Sequence, residues 1–454
     1  MPTNTSGQFT SDIEAYIAEE TLPLTRRQLV AYQFGDPETL PKGRGTTWTA
    51  TRFNRVPLPY QTLAEGTPPI GQTMTISQVT VVLQQWGDRI NITDVAEMTI
   101  KHPVLNEAKK LLALQTAETT ERNTFNGLLG LTQVNYVNSR GARASLVAGD
   151  VLNTFEVTRS FAQLVALGAP RFSGDEQTNT KVDANSGGAS ASADPRGRPH
   201  YTAIVHPFVE ADLTQNSTFV LASSYSDVNK LYNYEVGTWH GVRFCSTNMV
   251  PYWTGATAIT GTPSATGGSL ATGTHYQIIV TQSDIINQYE TIIAQQSADI
   301  NVTGATGSIS VVLPSVYGYT YNVYISNGGV TASPVIGNLG LCAAGPTQGP
   351  LQGQAVQLAP GQTVVLTGVG ISQTPPAAPA TGVTVYPTFV IGRGAYAQVV
   401  LDDIKITWLD KADKSDPMNQ LRVIGWKMFY GFLLKNNLFA MRIESASAFN
   451  TTFG

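Results

Sequence analysis

Three carboxylates, Asp410, Asp413 and Asp416, recur at every third position, and a hard divalent cation requires several such oxygens together. Calcium loops, however, place their acids at alternate positions and include a glycine. Here Lys411 and Lys414 interleave, so the segment reads as a solvated, ion-paired turn that Asp416-Pro417 fixes before a long strand. The five histidines, His102, His200, His206, His240 and His275, are scattered, and none has a second His or Cys at ligand spacing. His206 stands before Pro207 and reads as a turn residue, not a base. Cys245 and Cys342 are too few for a disulfide scaffold and read as reduced thiols. Tyr317, Tyr319 and Tyr321 alternate as a stacking platform for sugar would, but this pattern more commonly belongs to the core or rim of a β-sandwich. The sequence contains no Gly-x-x-x-x-Gly-Lys-Ser/Thr loop, His-Glu-x-x-His helix, Gly-x-Ser-x-Gly elbow or Cys-x-x-Cys pair. The expectation is a protein that is not an enzyme, with no catalytic residue, no cofactor and no metal site.

The elements around these residues are organised by charge. No Lys or Arg stands between Arg243 and Arg393, although the chain of 454 residues carries 28 of them. That stretch holds three acids, Asp284, Glu290 and Asp299, and it marks a unit with its own surface chemistry inside an interrupted body. With a net charge of −4, the chain is not basic enough to suggest binding to nucleic acid through phosphate neutralisation. Residues 1–9 lack the basic start and apolar run of a secretion signal, and no stretch has the roughly 20 apolar residues of a membrane span.

Along the chain, the pattern predicts a short helix over 10–20, an extended arm over 22–45 and a long hairpin from strands 46–55 and 73–83 around a Gly/Pro tip. A long helix is expected over 103–125, with Val104, Ala108, Leu111, Leu112 and Phe125 as its apolar stripe and Gly127 and Gly130 ending it. Asn153-Thr-Phe-Glu156 signals a second helix, packed on a sheet through Val157, Phe161, Leu164 and Val165. Residues 173–199 have the composition of a mobile loop. A strand over 201–205, a short helix over 208–213 and a turn and strand over 236–245 follow. Within the charge gap a Gly/Thr/Ser linker over 255–274 precedes short β runs over 276–281, 291–295, 308–313, 319–325, 355–358 and 363–366. Their spacing favours a sandwich of immunoglobulin or fibronectin type III character, and Pro375 to Pro379 form its exit linker.

The segments Leu63-Ala-Glu-Gly-Thr-Pro-Pro-Ile-Gly71, Ile204-Val-His-Pro-Phe208, Gly237-Thr-Trp-His-Gly-Val-Arg-Phe244 and the tail Lys414-Ser-Asp-Pro-Met-Asn-Gln-Leu-Arg-Val-Ile-Gly-Trp-Lys427 occur in that order. Together they resemble the major capsid proteins of tailed, short-tailed bacteriophages built on the Hong Kong phage capsid fold. The resemblance covers residues 10–254 and 386–450. It implies an α+β fold with an N-terminal arm, an extended loop at the hairpin, a spine helix near 103–125, and peripheral and axial domains. The expected division is a first part of the body at 1–254, a surface-exposed inserted all-β immunoglobulin-like sandwich at 255–385 and a second part of the body at 386–454.

The function implied is that of a structural protein assembling through hexamers and pentamers into an icosahedral head shell around the phage genome, with the insert decorating its outside. The implied location is the virion, after assembly in the host cytoplasm. Portal, scaffold and decoration proteins are the expected partners, with packaged DNA held without sequence-specific contacts and no membrane. A tail-tube or fibre protein, and a secreted glycan-binding adhesin, are the alternatives. As a decoration, the insert is expected to be replaceable by a short Gly/Ser linker with assembly intact.

Overall fold

The computed structural model describes residues 29–58, 62, 71–95, 104–172, 200–222, 232–284, 289–304, 306–314, 319–326, 339–341, 361, 363–368, 371–372, 375–409 and 420–449. The expected helix over 10–20, the hairpin tip over 63–70, the loop over 173–199, the β run over 355–358, His102, Tyr317, Cys342, Asp410, Asp413 and Asp416 lie outside the described residues.

The first part of the body starts with a strap: a 3-10 turn at Ala31–Phe34 and strand β1 (Asp36–Thr39). Strands β2 (Thr47–Phe53) and β3 (Ile76–Val82) pair antiparallel into the expected ribbon, with Thr47 opposite Val82 and Phe53 opposite Ile76. Strand β4 (Gln84–Thr93) leads to helix α1 (Val104–Leu129), then β5 (Val134–Tyr136) and helix α2 (Thr154–Ala166). Asn153 caps α2 by accepting from the Glu156 N–H at 3.1 Å, as its sequence signature predicts. Next come β6 (Tyr201–Val205), helix α3 (Pro207–Thr214), β7 (Val220–Leu221), β8 (Glu235–Trp239) and β9 (Val242–Ser246). His240 and Gly241, at φ of 44° and 76°, form the tight turn joining β8 to β9.

The segment without basic residues contains β10 (Trp253–Ala256), β11 (Gly261–Ser264), β12 (Thr274–Tyr276), β13 (Ile278–Asp284), β14 (Glu290–Ala294) and β15 (Ile300–Val302). Strands β16 (Ser308–Val312), β17 (Tyr319–Ser326), β18 (Leu339–Leu341), β19 (Thr363–Leu366) and β20 (Ile371–Ser372) complete it. The stretch 255–274 is therefore not a plain linker. Gly261, Thr262, Pro263 and Ser264 form β11, which pairs with β16. The tail adds β21 (Thr384–Ile391), β22 (Tyr396–Leu409), β23 (Leu421–Leu434) and β24 (Ala440–Ser445).

Two sheets build the body. One has the order β1-β22-β23-β4. The other, of 13 strands, runs β20-β18-β17-β13-β14-β10-β21-β6-β9-β8-β7, with β24 and β5 branching from β21. Strands β6 and β9 are buried on both faces, their polar members Thr202, Arg243 and Ser246 included. On one face Tyr201, Ala203 and Val205 pack with Val157 and Leu164 of α2; on the other, Ile204, Cys245 and Phe389 meet Phe125 and Leu128 of α1.

Helix α1 has 26 residues and spans about 39 Å, long enough to reach both sheets. Ala108 and Leu112 pack on Ile424 and Trp426 of the four-stranded sheet, while Phe125 and Leu128 enter the core of the larger one. Leu111, expected on the stripe, is 42% exposed, and Thr116, Thr120 and Thr124 take its place, each donating its hydroxyl to the carbonyl four residues back. Gly127 does not end the helix. A Cβ there would lie 2.0 Å from the Phe432 ring, so the glycine lets β23 approach within the last turn. On α2, Val165 is likewise 40% exposed.

Candidate assembly site: strap, ribbon and neck

Three arrangements of side chains fix the elements that project from the two sheets. The first is the root of the strap. Glu121 lies on the buried side of α1, and its carboxylate accepts from three consecutive backbone N–H groups: Val30 at 2.7 Å, Ala31 at 2.6 Å and Tyr32 at 3.0 Å. Tyr396 donates its hydroxyl to the Ala31 carbonyl at 2.5 Å. Burial pushes the Glu121 carboxyl above its usual range against the pull of the three N–H groups. Downstream, β1 runs parallel to β22, and Lys435 closes the strap with ion pairs to Asp36 at 2.9 Å and Glu38 at 2.8 Å.

The second part is the ribbon β2–β3. Trp48 and Val81 pack at its root against Leu40, Leu83 and Val399. The opposite face carries Thr47, Thr49, Thr51 and Phe53 across from Val82, Thr80, Gln78 and Ile76, and all eight are exposed. Phe53 is 62% and Ile76 54% exposed. A two-stranded ribbon is marginal in water by itself.

The third is the neck of the segment without basic residues. Trp253 pairs with Val385 and Thr254 with Thr384, and β10 also runs parallel to β14, so one hydrogen-bonded sheet continues from the body into the segment. A Cβ on Gly255 would sit 2.2 Å from the Ala380 carbonyl oxygen, so a glycine is required where the two ends cross. Beside them Arg143 makes a buried fork to Glu444, with Nε to Oε2 and Nη2 to Oε1 both at 2.7 Å. Its third nitrogen donates to the Ala377 carbonyl at 2.9 Å, and its guanidinium lies 3.5 Å above the Trp253 ring. Arg442 sits 3.0 Å from the same carboxylate.

The residues singled out by their chemistry do not converge. His206 caps α3, its Nδ1 accepting from the Phe208 N–H at 3.3 Å, and its ring stacks on Tyr386 at 4.6 Å. It stands as a helix N-cap between strand β6 and Pro207, where a turn was expected. Burial pulls its pKa down to about 4, below the usual 6.5, so the folded chain holds it neutral. The unfolded chain binds the extra proton between pH 6.5 and 4, and stability falls as the pH drops through that window, by up to about 3 kcal/mol. Denaturant midpoints measured across it are expected to flatten in His206→Asn, which keeps a cap acceptor but does not titrate.

His200 reaches the Tyr232 hydroxyl at 3.0 Å, whereas His275 pairs with Asp299 at 2.6 Å on the other side of the neck. Cys245 is a buried free thiol pushed up by burial, and Tyr321 is wholly buried, a core residue and not a sugar platform. Among the described residues no cluster of three metal-ligating side chains occurs, and no helix is long and apolar enough to cross a membrane.

Sequence reasoning missed Glu121, Arg143 and Glu444. Glu121 had a signal, since it stands four residues before Phe125 on the buried stripe. Arg442 and Glu444 had a weaker one: two charges at i and i+2 share a strand face between Met441 and Ile443. Arg143, which opens the 3-10 turn Arg143–Ser145, had none.

No protein-family model matches the sequence, and neither does any curated protein. Solved structures do match. The capsid of Ralstonia phage GP4 aligns over 97% of this chain and 97% of its own, with 9% identity and a TM-score of 0.51. The cyanophage Pam1 capsid asymmetric unit aligns over 97% of this chain and 98% of its own, again with 9% identity and a TM-score of 0.51. Agreement over nearly the whole of both chains, at so low an identity, is a statement about architecture: this protein has the α+β fold of phage capsid subunits.

Proposed function

We propose that this chain is a major capsid protein that assembles through hexamers and pentamers into the icosahedral head shell of a tailed bacteriophage. The strap continues an N-terminal arm, and the ribbon is the extended loop that reaches over an adjacent subunit. The segment between the two parts of the body is an inserted immunoglobulin-like sandwich facing outward. Portal, scaffold and decoration proteins are its partners during assembly in the host cytoplasm, and packaged DNA touches the shell without sequence-specific contacts. The mechanism is geometric and involves no bond chemistry: each subunit is held at several points, so modest interfaces add.

The observation that carries this reading is the exposed face of the ribbon, where Phe53, Ile76 and Val82 stand among threonines. Phe53, Ile76 and Val82 are exposed, with no layer over them among the described residues, and a neighbouring subunit would cover them. Phe53→Asp combined with Ile76→Lys, opposite charges on a directly paired couple, is expected to leave the far-UV spectrum and melting temperature of the free subunit unchanged, because both side chains are exposed in it. The same variant is expected to lose the round shells of uniform size that the unmodified chain forms under negative stain. Shells from the double variant, or rods from the unmodified chain, would count against the assignment.

A further inference from the structure

The segment without basic residues has two sheet faces, and only one belongs to its own core. Strands β13 and β17 pair with Ile278 opposite Ile325 and Val280 opposite Val323, and these side chains face Ile309, Val311, Val364 and Leu366 of the smaller β11-β16-β19 sheet. The alternate residues, Ile279 and Tyr324, point the other way. With Ile293 and Val385 they are buried against Leu146 and Ala446 of the body. A free sandwich would present a polar outer face there. Tyr289 extends the contact. It is 8% exposed, it packs in the cluster that holds Phe125 and Leu128 of α1, and its hydroxyl donates to the Arg122 carbonyl of that helix at 3.3 Å. Arg143 ties the body strand β24 to both ends of the segment, through Trp253 on one side and the Ala377 carbonyl on the other.

We propose that Tyr289 and Arg143 are positioning residues that lock the segment to helix α1 and strand β24, so that segment and body move and unfold as one unit. A displacement of α1 is then transmitted to the segment through a shared core and a continuous sheet, and the segment's orientation reports the state of the body. This holds for the free subunit and does not depend on the chain forming a shell.

Calorimetry and hydrogen exchange on the full-length soluble chain test it. The unmodified chain is expected to melt in one transition. Tyr289→Ala is expected to speed amide exchange about tenfold or more on both sides of the neck, in α1 around residues 122–128 and in β13 and β17, because opening there becomes shared. Tyr289→Phe, which keeps the ring, restores most of the protection. Val311→Ala, a cavity inside the segment's own core, serves as the reference for damage on one side. Arg143→Met is expected to split the single transition, and Arg143→Lys to split it as well, since a lysine cannot fork to Glu444 and reach Ala377 together. Two separate transitions in the unmodified chain, or faster exchange confined to the segment in Tyr289→Ala, would overturn the coupling. Failure of shell formation in the ribbon experiment leaves these readouts untouched.

Discussion

Replacing residues 255–385 with a short Gly/Ser linker is expected to abolish the soluble, cooperatively folded subunit, and not merely to strip an ornament from it. The excision takes Ile279, Ile293, Tyr324 and Val383 out of a cluster they share with Leu146, Trp253 and Ala446, and Tyr289 out of the core beside α1. Burying a large apolar side chain contributes about 1.5–3 kcal/mol, so five such losses approach about 10 kcal/mol, the order of a domain's whole net stability. The cut also unpairs β10 from β21 and removes the carbonyl that Arg143 engages. Circular dichroism and gel filtration of the shortened chain decide the matter. A monomeric product with native helix content and a sharp melt would show that the segment is independent after all. The opposite expectation follows from charge alone, which marks the segment as foreign but is blind to its second apolar face.

The other large effect belongs to Glu121. Its replacement by Ala leaves the Val30, Ala31 and Tyr32 N–H groups without their acceptor in a buried site, where each such loss is worth about 1–3 kcal/mol, and a total of about 4 kcal/mol is expected. Glu121→Gln keeps a carbonyl oxygen for Val30 and Ala31 and is expected to cost about 1 kcal/mol. Urea titrations of the two variants separate these values, and proteolysis of the strap is expected to accelerate in Ala far more than in Gln.

The pH response has a defined sign. Burial raises the folded pKa of Glu121 above its unfolded value of 4.5, so the native chain holds the proton longer. The stability that this group supplies is therefore greatest below 4.5 and declines as the pH rises through the folded value. Glu121→Gln removes that slope. A slope unchanged in Gln would mean that another acid is responsible.

The sequence by itself determined the local elements and the outline of the fold. Ribbon, long helix, capped helix, β6 and the long strand β23 after Asp416-Pro417 stand within a few residues of their expected positions, because alternation, helical period, caps and turn residues act over short distances. In the segment without basic residues β13, β14, β16, β17 and β19 were legible for the same reason, whereas the short strands β10, β11, β12, β15, β18 and β20 were not. The tertiary structure alone decided which buried positions carry charge and how the segment is attached. Arg143 looks like an ordinary surface residue, and Glu121 shows only its place on the buried stripe, until partners about 300 and 90 positions away are brought to them. Isoleucines of both parities in Ile278-Ile-Val280 say that two faces are buried, but not against what. Only the folded chain shows that one face packs on its own small sheet and the other on the body, because burial is a property of what surrounds a residue in space and not of its neighbours in sequence.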